Sequence, residues 1–517
     1  MLRHPNRVLM GALTLGICAD YFFNGRSPGI SVPLFVILLV ALLIGVGRSE
    51  GHMPSRANLW VAGTALCFAL GLVLRTTPLL VLLDLLVVLG LIFLLFALYR
   101  GTGLRHLPLR RMFGDTFRAM KIIGFEPAPL IAHGMRSMPR ARLDRLLPVG
   151  RGLLLAVPVV VCFGGLLMSA DEVFASYVLS ITDLPFLWSL NLTRWFWHLL
   201  FVSVATYVCA GLLLTALTID RSSPAQHLTP GDVPAEGDTQ RLPKPRRFLG
   251  FTEALTVLVA IDVLFGSFMA VQARYLFGGI QTLERTTMTY AQYARRGFFE
   301  LLVVTCLALG LLWTLAYLTQ RIQTWKQRAF NSSSAVLIFL MLGLLASAFQ
   351  RLLLYEDAFG YTRLRLYTHS FMIWLAIILP IFLVALWRNR FRWFASASMV
   401  TALMYLALLN IVNTEALIVQ ENIRRYQTTG KIDVEYLRTL SSDATPALVA
   451  GLDRLDVSSR ERLDRHLKQE LERLQADVAS NGWPSWNLAR AQALAALLQR
   501  YGGDQSGRDS GAIALTD

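Results

Sequence analysis

Residues 335–387 read AVLIFLMLGLLASAFQRLLLYEDAFGYTRLRLYTHSFMIWLAIILPIFLVALW. Two apolar runs, 335–354 and 366–387, flank a short turn, and the stretch 352–371 across it holds two acids, two arginines, a histidine and several tyrosines and threonines. A helix needs roughly 20 mainly apolar residues to cross about 30 Å of hydrocarbon, so each run reads as a membrane span and the turn as its exit from the bilayer. The rest of the chain follows the same pattern. A mean hydropathy of +0.50 with 16% charged residues is too apolar for a soluble globular protein. Eleven spans are expected, at about 8–24, 29–47, 58–75, 78–99, 152–169, 195–219, 251–276, 298–319, 335–354, 366–387 and 393–413. The fold class is therefore all-α: a polytopic transmembrane helix bundle with a small helical C-terminal extramembrane domain.

The first run is the weakest, being short and carrying Asp20. No small-x-small cleavage site follows it and a second run begins almost at once, so it reads as a retained helix rather than a signal peptide. Between the third and fourth runs, Thr77 is placed to cap and Pro78 to open the next helix.

The chain carries 49 basic and 34 acidic residues. With the N-terminus inside, 26 of the basic residues fall in inner segments and only ten in outer segments before residue 414. This is the positive-inside pattern, and it predicts a cytoplasmic N-terminus, an extracytoplasmic C-terminus and, for a bacterial chain, the inner membrane. The basic excess is thus a topology signal, and no nucleic-acid partner is expected. Trp60, Trp195, Trp197, Trp387 and Trp393 lie at span ends, where an interfacial belt forms.

These boundaries divide the chain into a four-span segment (1–99), a basic loop (100–151), spans five and six (152–219), a Pro- and Gly-rich linker (220–250), a five-span core (251–413), a helical tail (414–501) and a disordered end (502–517). The loop carries a net charge of +8, and its RRMFGDTFRAMKIIGF (110–125) sets Phe113, Phe117 and Met120 on one stripe beside Arg110, Arg111, Arg118 and Lys121. Such a stripe suits an interfacial helix on anionic lipids, and an ordinary topology-fixing loop fits equally. In the tail, Leu463, Leu467, Leu471 and Leu474 form one helical stripe, Thr445-Pro446 reads as a helix start, and Asp433–Leu440 and Trp486–Arg500 are further helices. Its fifteen acids and thirteen bases nearly balance, which suits protein packing and a possible protein partner.

Motifs for known chemistry are missing. There is no G-x-x-x-x-G-K-[ST], no H-E-x-x-H and no complete G-x-G-x-x-G, and Cys18, Cys67, Cys162, Cys209 and Cys306 all lie inside apolar runs. No catalytic residue, metal site or cofactor is expected. Two sets of polar residues remain. Asp262 falls near the middle of the seventh run and Asp84 about two turns inside the fourth; an intramembrane carboxylate suggests an ion or proton relay, or a neutral, packed acid. At the outer face, Tyr293, Arg295, Arg296 and Glu300 precede or open the eighth run, and Arg351, Glu356, Asp357, Arg363, Arg365 and His369 cluster at the quoted turn. Arginine forks there suit a phosphate or carboxylate. A salt-bridge network pinning helix ends accounts for the same residues, and a pairing of Arg295 or Arg296 with Glu356 or Asp357 is the contact that would join the two stretches.

YAQYARRGFFEL (290–301), QRLLLYEDAFGYTRLRLYTH (350–369) and ENIRRYQTTGKIDVEYLRTLSSDATPAL (421–448) resemble the bacterial domain-of-unknown-function 4173 family, close to the 4153 group. The resemblance spans roughly residues 150–460. It implies a multispan bacterial membrane protein and supplies no activity. Two functional classes fit: a transporter or handler of lipid and envelope components with an outer polar site, and a non-enzymatic envelope scaffold or sensor whose tail binds a partner. An intramembrane transferase on a lipid-linked substrate is a weaker third.

Overall fold

The computed structural model describes residues 3–53, 58–99, 119–124, 126–127, 192–218, 250–277, 298–319 and 324–513. Its helices are α1 (Pro5–Phe23), α2 (Ser31–Ser49), α3 (Leu59–Leu74), α4 (Pro78–Ala97), α5 (Leu192–Thr218), α6 (Phe251–Phe277), α7 (Phe298–Leu318), α8 (Thr324–Phe359), α9 (Arg363–Trp387), α10 (Phe391–Ile411), α11 (Thr414–Thr429), α12 (Val434–Leu437), α13 (Thr445–Gly451), α14 (Val457–Asn481) and α15 (Leu488–Ile513). No strand occurs among the described residues, so the all-α class holds. Among the described residues, eight helices are long and apolar enough to cross a membrane, α2, α4, α5, α6, α7, α8, α9 and α10; α1, expected as the first span, is not one of them. The sixteen-residue α3 is a shorter apolar helix. The expected span at 152–169, the linker and most of the basic loop lie outside the described residues.

The chain divides into two compact units. The first holds residues 1–72, 85–225 and 481–486. Its α1 packs along α5, where Gly16 lets the two backbones approach closely: a Cβ there would fall 2.9 Å from the Val202 carbonyl. At the far end of the interface, Asp20 bridges Asn24 and His198, at 2.7 Å to each. Of the expected interfacial helix, only 119–124 is described together with its packing. There Ala119 and Ile122 are buried with Leu214 of α5, while Met120 is exposed. Phe113 and Phe117, the rest of the stripe, fall outside the described residues.

The second unit holds residues 73–84, 226–480 and 487–517. Leu258, Leu312, Leu337, Met341, Leu344, Leu375, Leu379 and Phe382 form the core in which α6, α7 and α9 pack on α8. With 36 residues α8 is about 54 Å long, well beyond a hydrocarbon thickness, so part of it must stand outside the bilayer core. The tail has a core of its own. Val419, Leu437, Leu448 and Leu452 meet the expected stripe, Leu463, Leu467, Leu471 and Leu474, and Ala493 and Leu497 of α15. The helix start at Thr445 with Pro446 in the first turn is present, while the helix expected over 433–440 is the four-residue α12, capped by Asp433. The backbone of α15 remains helical to Ile513, through part of the end expected to be disordered.

Candidate functional site at the helix ends

Every helix leaves about four carbonyls without partners at its C-terminus and four N–H groups at its N-terminus. In the second unit the polar residues of the quoted turn, together with the tail, supply those partners. The last carbonyls of α8 are held by Arg425 of α11, whose Nε donates to Asp357 O at 2.8 Å and whose Nη2 donates to Ala358 O at 2.5 Å. Gly360 then turns the chain at φ +81°, and its N–H donates to Glu356 O at 2.7 Å. A residue with a side chain is strained there. Asn422 reads the next residue from both sides, accepting the Tyr361 N–H at 3.0 Å and donating to the Tyr361 carbonyl at 2.8 Å. At the start of α9, the Arg363 N–H donates to the Tyr436 hydroxyl at 2.6 Å, and the Arg363 guanidinium pairs with Glu415. Burial raises the Tyr436 phenol above its usual value, against the opposing effect of Arg363, so it stays a neutral hydroxyl.

A second lock lies at residues 75–77. Asp443 of the tail accepts the N–H groups of Thr76 and Thr77, both at 2.7 Å, and both their hydroxyls, at the N-terminus of α4. A carboxylate is the charge that suits the positive end of a helix dipole. Thr77 does stand at the helix start, but its hydroxyl donates to Asp443 instead of capping the helix alone. Arg75 supplies the opposite charge to the opposite kind of end: its Nε and Nη2 donate to Asn410 O and Ile411 O, the last carbonyls of α10, at 2.8 and 2.7 Å, with Asp443 3.7 Å away. Ser441 joins the two locks. Its N–H and hydroxyl donate to Glu415, at 2.6 and 2.7 Å, and its hydroxyl lies 3.2 Å from Asp443. Glu415 and Asp443 are both buried.

The remaining candidates divide as follows. Glu356 is buried and meets His369 Nδ1 at 3.1 Å, so its partner lies across the α8–α9 turn. The other His369 nitrogen faces Phe349 O at 3.5 Å. Arg365 donates to Gly360 O and stacks 4.0 Å over Tyr355. Asp357 contributes its carbonyl, Arg351 lies a turn earlier on α8, and Glu300 is exposed on α7. Tyr293, Arg295 and Arg296 lie outside the described residues, as does any pairing with them. Within the spans, Asp262 Oδ2 accepts the Ser333 hydroxyl at 2.5 Å and Oδ1 has no partner among the described residues. Asp84 is wholly buried. Its Oδ1 accepts Asn410 Nδ2 at 2.8 Å, while its Oδ2 has no partner among the described residues. Among the described residues, no group of three or more His, Cys, Asp or Glu is placed to hold a metal ion.

The residues missed at the sequence level are Arg75, Asn422, Arg425, Tyr436, Ser441 and Asp443. Five of them lie in ENIRRYQTTGKIDVEYLRTLSSD, so the dense polarity of that segment was the available signal.

The apolar helices and their capped ends define an integral, multi-pass membrane protein. The chain belongs to the family described as domain of unknown function (DUF4153), which matches residues 62–451. That is the 4153 group of the resemblance drawn above; the narrower 4173 assignment gains no support from it. No curated protein and no solved structure matches the chain.

Proposed function

We propose that this protein is a non-enzymatic envelope sensor or scaffold in which a buried membrane acid, Asp84, is coupled to the position of the helical tail. One observation carries the reading: an unbroken polar line from Asp84 to Asn410, from the Asn410 carbonyl to Arg75, and on through Asp443, Ser441 and Glu415 to Arg363. Asn410 Nδ2 gives its two N–H bonds to Asp84 Oδ1 and Leu406 O, which fixes the amide's orientation. Asn410 Oδ1 and Asp84 Oδ2 are then two buried acceptors without a donor among the described residues. A proton on Asp84 supplies that donor, whereas a charged Asp84 leaves both unpaired at considerable cost. Losing the proton would disturb Asn410, and Arg75 grips the same residue. The charged groups nearest to this pair along the line are Arg75 and Asp443.

The test is hydrogen exchange of the 441–445 amides against pH, in lipid nanodiscs, for the wild type and Asp84→Asn. Asparagine mimics the neutral acid, so protection in the variant should lose the pH dependence that the wild type shows. Identical pH profiles would remove Asp84 from the coupling. In this reading the basic inner segments hold the N-terminus in the cytoplasm, with anionic lipids against the 100–151 loop, and the tail faces a protein partner in the bacterial envelope.

Transport is the second reading, and Asp262 favours it. This half-buried acid between α6 and α8 keeps one oxygen without a partner. If Asp262→Asn reconstituted in vesicles retains every flux of the wild type, the relay is absent.

A further inference from the structure

The exposed side of α1 carries Met10, Leu13, Ile17 and Tyr21 at spacings of three and four residues. In a membrane protein such an apolar stripe, opposite the side that packs on α5, faces lipid. The stripe ends at Tyr21, and there it meets a piece of chain more than 450 residues away in sequence. Trp483 Nε1 donates to the Tyr21 hydroxyl at 3.2 Å, and the indole packs edge-on to Phe22 with ring centres 6.0 Å apart. Trp483 and Trp486 nonetheless stay 55% and 47% exposed.

Two large aromatic side chains, left open at the end of a lipid-facing stripe, have the composition of an interfacial belt: the indole body is apolar and its N–H is polar. Their backbone is seated firmly. The Ile30 N–H donates to Trp486 O at 2.9 Å, and Gly29 lies so close beneath that a Cβ there would fall 2.5 Å from the same oxygen. Arg26, over the Tyr21 ring at 4.7 Å, adds a cation at the level where lipid phosphates lie.

We propose that the 481–486 turn is a membrane-interface anchor, seating Trp483 and Trp486 in the lipid headgroup layer beside the α1–α2 loop. The tail is then held by the bilayer as well as by helix ends. This inference stands apart from the coupling at Asp84, since it rests on different residues.

The test uses the full-length chain with its five cysteines replaced by alanine and Trp483→Cys carrying an environment-sensitive dye, in phosphatidylcholine and phosphatidylglycerol vesicles. A nitroxide on the lipid headgroup or upper acyl chain should remove most of the fluorescence, and aqueous iodide little. Strong quenching by iodide with none from lipid would overturn the anchor and place the site in water or under a protein partner. Quenching chiefly from a nitroxide at the acyl terminus would overturn it as well, because the group would then be inserted. Hydroxyl-radical footprinting of the unaltered chain in nanodiscs guards against a perturbed variant. Both tryptophans should be oxidised several-fold more slowly than in the denatured chain, and equal rates count against the proposal.

Discussion

The ion pair between Arg363 and Glu415 gives the sharpest measure of how the tail is held. The Glu415 side chain is fully buried and that of Arg363 is 27% exposed. Glu415 also accepts the Ser441 N–H and hydroxyl, so three donors converge on one carboxylate. Removing one partner of a buried pair costs about 3–5 kcal/mol, because the other charge stays buried without compensation. Arg363→Gln leaves Glu415 with only the two Ser441 donors, and a loss of about 3 kcal/mol is expected. Glu415→Gln keeps the shape and one acceptor oxygen, so about 2–3 kcal/mol is expected, in the range for hydrogen bonds to charged groups. The two losses share one interaction. The double variant should therefore be less destabilised than their sum by at least about 1.5 kcal/mol, within the range found for contacting residues. Unfolding in mixed micelles with increasing SDS, followed by circular dichroism, measures all four proteins. Additivity to within about 0.5 kcal/mol would show that the two side chains do not depend on one another, and the lock would lose its basis.

Gly360→Ala forces a side chain into a left-handed turn, where its Cβ would lie 2.5 Å from Asn422 Oδ1; a loss of about 1–3 kcal/mol is expected in the same unfolding assay, and an unchanged midpoint would show that the turn is not fixed by the tail. In the tail, burial lowers the half-buried His466 below its usual 6.5, helped by the positive charge of Arg438. The unfolded chain then takes up the proton first, so this contribution to stability is present above pH 6.5 and lost as the pH falls below it. His466→Gln should flatten the stability profile between about pH 7 and 5, and a slope equal to wild type would refute the assignment. Hydrogen bonds from Ser458 and Ser459 hold Asp456 well below its usual 3.8, so its contribution disappears only in stronger acid and does not confuse that window.

What the sequence shows well is periodic and local. Apolar runs of membrane length, the leucine stripe of α14, Thr445-Pro446 and Asp433 each follow from residues within a few turns of one another, and hydrophobic period or cap chemistry is enough to read them. The polar site is a different matter. Its residues were visible as a concentration of charge at span ends, and the pinning of helix ends was one of the two explanations open for them. Their partners were not visible. Arg75 and Asp443 are separated by 368 positions, and Arg363 and Glu415 by 52, distances over which a single sequence carries no pairing signal. Charge alone made Arg296 as good a candidate as any for Glu356; Arg296 lies outside the described residues, and the partner described for Glu356 is His369, thirteen residues on and one helix over. Asp84 was legible as a buried acid but not as the neighbour of Asn410, because nothing local links α4 to the end of α10.

In the proposed reading, the junction between α10 and α11 is what couples the tail to the membrane helices. Only Val412 and Asn413 separate the two helices, and a tether of two residues would still permit a hinge if its polar groups were free. They are not free. Asn413 accepts the Ala416 N–H at 3.0 Å, capping α11, and its Nδ2 donates to Asp443 O at 2.9 Å. Thr414 lies 3.2 Å from the Tyr367 hydroxyl of α9, and Glu415 takes Arg363 and Ser441. Six residues, Asn410 to Glu415, thus contact α4, α9 and the 441–443 segment while carrying the chain out of the membrane. Rotating α11 about this junction would have to break charged and capping contacts together, each of them worth on the order of 1 kcal/mol or more. In the proposed coupling, motion takes the other route, in which α10 and the segment docked on its end shift together. The buried end of that route is Asn410, hydrogen-bonded to Asp84.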